Sequence, residues 1–233
     1  MSESMADRLD RIEGRIVAAC ERAGRQRDEV TLVAVSKTRT PDIVAEAAAL
    51  GLRIFGENKV QEARAKIPES PSHLSWHLIG HLQSNKAKVA ARLFDCVHSV
   101  DSEKLARALN SGADEAGRQL NILLEVNVSG EASKFGLKPE EIPAVLEVAN
   151  ACPRLIVDGL MTMAPFAPEA EKARPYFKQL RDLRDRLAQE TGSPLEQLSM
   201  GMSGDFEVAI EEGATMIRIG TLLFGERQKR AET

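Results

Sequence analysis

The 233-residue chain is 43% hydrophobic and 28% charged, the balance of an ordinary globular protein with ample material for a core. A net charge of -4 offers no electrostatic footprint for nucleic acid, and the short basic run at Arg227, Lys229 and Arg230 does not supply one. Cys20, Cys96 and Cys152 are odd in number and widely spaced, which argues for buried thiols rather than a disulfide framework or a zinc site. Nothing resembles a secretory signal or a membrane span, so the expectation is one cytoplasmic domain over residues 1–233.

The first element is an amphipathic helix carrying Leu9, Ile12, Ile16 and Cys20 at helical spacing. Short apolar runs then alternate with helical patterns, the signature of parallel βα units. Strands are expected at 31–36, 53–56, 75–80, 96–100, 121–127, 156–161, 197–200 and 216–220. Helices are expected at 41–50, with Pro41 early, at 102–116, capped by Asp101 or Ser102, and from Pro139 or Glu140 to 150. A long helix at 170–190 aligns Tyr176, Leu180, Leu183 and Leu187, and a short amphipathic segment spans 206–212. Eight parallel strands with outer helices close most economically into a (β/α)8 barrel of the TIM type, here with an extra N-terminal helix. The first βα turn has no Gly-x-Gly-x-x-Gly fingerprint, which removes the main support for an open dinucleotide-binding sheet.

Three segments carry chemistry. The apolar run Val33-Ala34-Val35-Ser36 ends on Lys37, where desolvation would favour the neutral amine that attacks a carbonyl; the alternative is a lysine that reaches out to solvent. Gly220-Thr221 ends the last strand, and Ser199-Met200-Gly201-Met202-Ser203-Gly204-Asp205 makes a second small-residue turn. Either turn can present backbone N–H groups to a phosphate, and either is also compatible with a plain strand-to-helix connection. In a closed barrel the first and last strands are neighbours, so Lys37 and these turns would hold a phosphorylated carbonyl compound from both ends, and pyridoxal phosphate is such a compound. His77 and His81 are four apart, but the surrounding segment reads as strand, and the sequence supplies no evident set of metal ligands around them.

At these residues the chain resembles the pyridoxal-phosphate homeostasis proteins, a family built on the barrel of the alanine racemase N-terminal domain. The resemblance rests on Ala34-Val35-Ser36-Lys37-Thr38, Phe55-Gly56-Glu57-Asn58 with Val60-Gln61-Glu62, and Trp76-His77-Leu78-Ile79-Gly80 with Leu82-Gln83-Ser84-Asn85-Lys86. It continues through Gly159-Leu160-Met161, Ser199-Met200-Gly201-Met202-Ser203 and Ile217-Arg218-Ile219-Gly220-Thr221. It implies pyridoxal 5'-phosphate as cofactor, held as a reversible Schiff base on Lys37, with Ser203, Gly220 and Thr221 at the phosphate and Arg218 near the pyridine nitrogen. Asn58 would contact the cofactor's polar substituents or, alternatively, cap the following helix.

The resemblance also implies a role without turnover, maintaining the vitamin B6 cofactor pool, with apo-enzymes as transient partners; no long exposed apolar stripe in the sequence demands a partner, so a monomer is favoured, with a dimer as the alternative. The chief alternative is an amino-acid racemase, which would need a tyrosine opposite the lysine and an added domain; the one tyrosine, Tyr176, lies in the long helix and the chain stops soon after strand eight. A Schiff-base aldolase is the third reading, and it leaves the ordered motifs unexplained. Relatives that carry a second lysine two residues after the first differ from this chain, which has Arg39 there, and arginine cannot relay an aldehyde. Lys134 matches a lysine found in relatives, and Gly204 stands where relatives often carry a larger residue.

Overall fold

A computed structural model describes residues 3–131 and 134–226. The basic run from Arg227 lies outside the described residues. Eight strands form one closed parallel barrel in sequence order, β1 (Thr31–Val35), β2 (Ile54–Glu57), β3 (Ser75–Leu78), β4 (Cys96–Val100), β5 (Leu120–Glu125), β6 (Leu155–Met161), β7 (Gln197–Met202) and β8 (Met216–Ile219). β1 pairs with β8 in the register Ala34 to Ile219, which closes the seam. The expected barrel and the expected N-terminal helix are both present.

Strand alternation divides the apolar residues into two bodies. Outward positions such as Leu32, Ala34, Phe55, Trp76, Leu78, Ile217 and Ile219 join the large core under the helices, while Val33, Cys96, Leu123, Met161 and Met216 form a small cluster inside the barrel. The outer helices are α2 (Pro41–Ala49), α3 (Val60–Lys66), α4 (Ala87–Leu93), α5 (Glu103–Glu115), α6 (Ile142–Asn150) and α7 (Arg174–Thr191), followed by the short α8 (Phe206–Glu211) and α9 (Thr221–Phe224). In α7 the buried stripe is Phe177, Leu180, Leu183 and Leu187, with Tyr176 only half-buried against the core, so the phenylalanine takes the place expected for the tyrosine. All three cysteines are buried and free. No described helix is long and apolar enough to cross a membrane.

The extra helix, α1 (Met5–Arg22), starts at an N-cap Ser4 whose hydroxyl accepts from Asp7 N–H at 3.1 Å, while Asp7 reaches back to Ser4 N–H at 3.1 Å. Its buried Leu9, Ile12, Ile16 and Cys20 cover the barrel beside α8 and α9. Arg15 grips Glu207 of α8 through two bonds of 3.0 and 2.8 Å, and Arg8 Nε donates to Leu223 O of α9 at 2.7 Å. The helix thus braces the two short helices that begin at the turns singled out in the sequence.

Candidate functional site at the barrel mouth

β1 ends at Val35, one residue earlier than expected, and Ser36 N–H closes onto Gly56 O at 3.0 Å. Lys37 therefore sits in the β1–α2 connection, half-buried, in the alternate-residue phase of the inward-facing Val33. The next residue, Thr38, has φ +64°, a left-handed conformation that a β-branched residue rarely adopts. Asn58 follows β2 in the inward phase of Ile54 and Gly56, and Gly80 fixes its place, since a Cβ there would lie 2.4 Å from Asn58 O. The N-cap of α3 is Lys59 and uses no side-chain bond, so Asn58 is not the cap.

Across the seam, β7 runs to Met202, two residues further than expected, and Met202 pairs with Arg218 after an irregularity in register. Gly201 makes this possible: its φ is +89°, and a Cβ would lie 2.5 Å from Ala209 Cβ. Asp205 then closes the turn, its carboxylate accepting Met202 N–H at 2.6 Å and its own N–H donating to Met202 O at 3.1 Å. Within that turn Ser203 is half-buried, and Gly204 has open space around it, so the larger residue of relatives would fit without displacing the backbone. Gly220 begins α9 directly against β1, where a Cβ would lie 3.4 Å from Val35 Cβ. The opening N–H groups of α8 and α9 have no carbonyl within their own helices to bond. Arg39 NH2 donates to Gly225 O at 2.5 Å and its guanidinium lies 5.8 Å from the Phe224 ring centroid, which ties the Lys37 loop to the far end of α9.

Below the mouth, a chain of hydrogen bonds crosses the barrel interior where a TIM barrel ordinarily carries branched apolar side chains. Arg218, 4% exposed, donates to Ser199 Oγ at 2.7 Å and to Thr162 O at 2.9 Å. Ser199 Oγ meets His98 Nδ1 at 2.9 Å, and His98 Nε2 meets His77 Nδ1 at 2.9 Å. A guanidinium only donates, so the serine hydroxyl passes its own proton toward His98 Nδ1, and His98 Nε2–H donates to His77; this is the assignment that satisfies every member. Burial lowers His77 to about 4 and His98 well below the usual imidazole range, so both rings are neutral at pH 7. Burial also lowers Arg218 to about 10, which leaves it a cation. Among the described residues it forms no salt bridge, and its two bonds go to a hydroxyl and a carbonyl.

His77, Cys96 and His98 come within 4.8 Å of one another, the three-ligand grouping that the sequence did not reveal. Linear spacing hides it because the three sit on adjacent strands β3 and β4. Both His98 nitrogens and His77 Nδ1 are already committed to the hydrogen-bond chain, and that chain ends on a guanidinium, so the grouping is better suited to holding Arg218 than to holding a divalent cation.

The far side of the mouth differs in character. Glu125, at the end of β5 and 3% exposed, is raised to about 7, chiefly by burial and then by the nearby Asp101, and its Oε2 has no hydrogen-bond partner. Asp101 Oδ2 contacts His81 Nδ1 at 3.2 Å, and the His81 ring stacks on Phe135 with centroids 3.9 Å apart. His81 is thus an exposed residue of the mouth that is nonetheless held by an acidic partner and an aromatic ring. Lys134 Nζ reaches Ala164 O at 3.5 Å.

The residues selected from sequence, Lys37, Asn58, Ser203, Arg218, Gly220 and Thr221, fall at the C-terminal ends of β1, β2, β7 and β8, four consecutive strands of the closed sheet. Sequence reasoning passed over Ser199, His98 and Glu125 inside the barrel, and Glu57, Glu62 and Lys66 behind Lys37. A signal for Glu57, His98 and Glu125 was present: a polar side chain inside or closing an otherwise apolar strand must find a buried partner.

A closed barrel with a lysine after the first strand and glycine turns after the last two defines a class, the alanine racemase N-terminal type of barrel. The family model described as alanine racemase, N-terminal domain, matches residues 8–228. The alanine racemase of Corynebacterium glutamicum shares the fold, with a TM-score of 0.71 at 18% identity over 97% of this chain and 64% of that one. Much nearer in sequence is the pyridoxal phosphate homeostasis protein of Aquifex aeolicus, 46% identical over 95% of this chain and 98% of its own. Its counterpart in Pseudomonas aeruginosa is 45% identical over 96% of each. The solved structure of PipY from Synechococcus elongatus, described with PLP bound, superposes with a TM-score of 0.83 at 38% identity over 95% of this chain and all of that one. The chain belongs to the pyridoxal phosphate homeostasis protein family.

Proposed function

We propose that this protein binds pyridoxal 5'-phosphate reversibly at Lys37 and serves vitamin B6 cofactor homeostasis, storing and delivering the cofactor without turnover of its own. The observation that carries the reading is the contact across the β1–β8 seam, where the glycine that opens α9 packs on the strand leading to Lys37. The donor set suits a phosphorylated aldehyde: one amine, the hydroxyls of Ser203 and Thr221, the opening N–H groups of two helices, and one buried cation. The names of the relatives and the PLP described in PipY support the same cofactor.

When bound, the cofactor supplies an aldehyde carbon that condenses reversibly with a primary amine. Lys37 would provide that amine, Ser203, Gly220 and Thr221 would hold the phosphate, Asn58 would meet the polar ring substituents, and Arg218 would serve the ring nitrogen. Arg218 keeps its charge up to about pH 10, and Ser199 and Thr162 hold it in place. A fixed cation there disfavours protonation of the ring nitrogen and weakens the group as an electron sink, which favours storage over carbanion chemistry. The sole tyrosine, Tyr176, lies on the outer helix α7, partly buried against the core, so it does not serve as a racemase's second base. The protein acts in this reading as a monomer, with delivery to cytoplasmic apo-enzymes in transient encounters.

The test is the absorption spectrum of the protein with added pyridoxal phosphate. A visible band that vanishes in Lys37→Ala is the expected result; a band unchanged by the substitution, or none at all, overturns the assignment. For delivery, an apo-enzyme should load faster from the charged protein than from free cofactor, and equal rates remove that part.

A further inference from the structure

We propose that the buried cluster of Glu57, Lys66 and Glu62 is a positioning device for Lys37, acting on the two peptide groups that flank its Cα; the proposal rests on Lys37 being the covalent site. Lys66, on α3, is 5% exposed, and its ammonium lies 2.6 Å from Oε1 of the fully buried Glu57 at the end of β2. The same ammonium donates to Ser36 O at 2.8 Å and to Glu62 Oε1 at 3.0 Å. Glu57 Oε1 also accepts from Ser36 Oγ at 2.7 Å, and Glu62 Oε1 accepts the N–H of Thr38.

Ser36 O belongs to the peptide plane before Lys37, and Thr38 N–H belongs to the plane after it. Pinning both planes fixes φ and ψ of Lys37 and with them the direction of its Cα–Cβ bond. The left-handed Thr38 is the local cost: with the plane before it held by Glu62, the chain turns away toward α2 through a conformation that a threonine does not choose unaided. Burial pushes the Glu57 carboxyl up against the pull of Lys66 and Ser36, and its Oε2 is left without a partner. An apolar pair would fill this space with no charge to desolvate. What an apolar pair cannot do is donate to a carbonyl on one side of Lys37 and accept an N–H on the other. Glu57, Glu62 and Lys66 therefore act through the backbone of Lys37 and are positioning residues, not ligands.

Glu62 offers the cleanest test, because its side chain is 27% exposed on α3, where alanine favours the helix and the fold persists. Pyridoxal phosphate is titrated into the native protein, Glu62→Ala and Glu62→Gln. The readouts are the dissociation constant from the Lys37-dependent band, the pH midpoint of that band, the borohydride-trapped peptide by mass spectrometry, and the urea midpoint. Glu62→Ala should bind about tenfold more weakly with a displaced pH midpoint, the order expected when a reacting group loses its preset geometry. Glu62→Gln, whose amide oxygen still accepts Thr38 N–H, should stay within about threefold of native. Native affinity and pH midpoint in Glu62→Ala, with the label still on Lys37, overturn the positioning role and leave the covalent site standing. Equal loss in both variants, tracking the urea midpoint, also overturns it, since that is what a purely structural role gives. No Lys37-dependent band in the native protein overturns the covalent site itself, and the positioning role with it.

Discussion

The barrel holds two buried polar assemblies, one behind its wall and one inside it, and they solve the burial of charge in opposite ways. Behind the wall, Glu57, Lys66 and Glu62 bring opposite charges to 2.6 and 3.0 Å and use the remaining bonds on the backbone around Lys37. Inside, a single guanidinium has no carboxylate in contact among the described residues and is solvated by a hydroxyl, a carbonyl and, through the hydroxyl, two neutral imidazoles. Paired charge is compact and grips neighbours rigidly; a lone cation kept by dipoles remains available to a ligand. The contrast follows the two tasks proposed for them, aiming Lys37 and presenting Arg218.

Breaking the paired assembly should have the largest effect. Lys66→Met leaves the Glu57 carboxylate buried alone, and urea unfolding at pH 7 should show a loss of about 3–5 kcal/mol. Adding Glu57→Gln removes the stranded charge and should restore most of it, whereas a double variant as unstable as Lys66→Met would mean that the pair itself, not the unpaired charge, carries the stability.

The interior and the far rim of the mouth give the next effect, and it depends on pH. His77 is lowered from the ordinary 6.5 to about 4, so between those values the unfolded chain binds a proton that the folded one refuses, and stability rises with pH. Glu125 is raised from 4.5 to about 7, so between those values the folded chain binds the extra proton, and stability falls as pH rises. The two slopes oppose each other from pH 4.5 to 6.5. Glu125→Gln removes the second, so the variant should match the native protein near pH 4.5 and exceed it by about 3 kcal/mol at pH 7 and above. Urea midpoints across that range check the sign, and a difference that shrinks with pH would refute the assignment of Glu125 as a buried, raised carboxyl.

Ser199→Ala is the mildest cut, aimed at the lone-cation assembly. It leaves His98 Nδ1 and one N–H of Arg218 without a partner, at about 1–3 kcal/mol in urea unfolding. Its sharper signature is weaker binding of pyridoxal phosphate at unchanged reactivity of Lys37, since Arg218 loses one of its two anchors while the paired assembly is untouched. Unaltered affinity would show that Thr162 O alone holds the guanidinium.

What the chain itself determined about this protein is its alternation of eight strands and outer helices, the buried cysteines, and the clustering of Lys37, Asn58, Ser203, Arg218, Gly220 and Thr221 at one end of the barrel. These were legible because strand and helix periodicity is local, and because barrel closure makes strand one a neighbour of strand eight whatever the details. The structure alone decided where strands stop: β1 releases Lys37 into a turn held by Glu62, and β7 runs two residues longer because Gly201 folds onto α8. It alone brought His77, Cys96 and His98 together and set Lys66 against Ser36, thirty residues away in sequence. Such meetings depend on register between strands and on which face a helix turns to the barrel. Hydrophobic pattern constrains both only to within the period of the element, while a hydrogen bond requires them to within a fraction of an ångström.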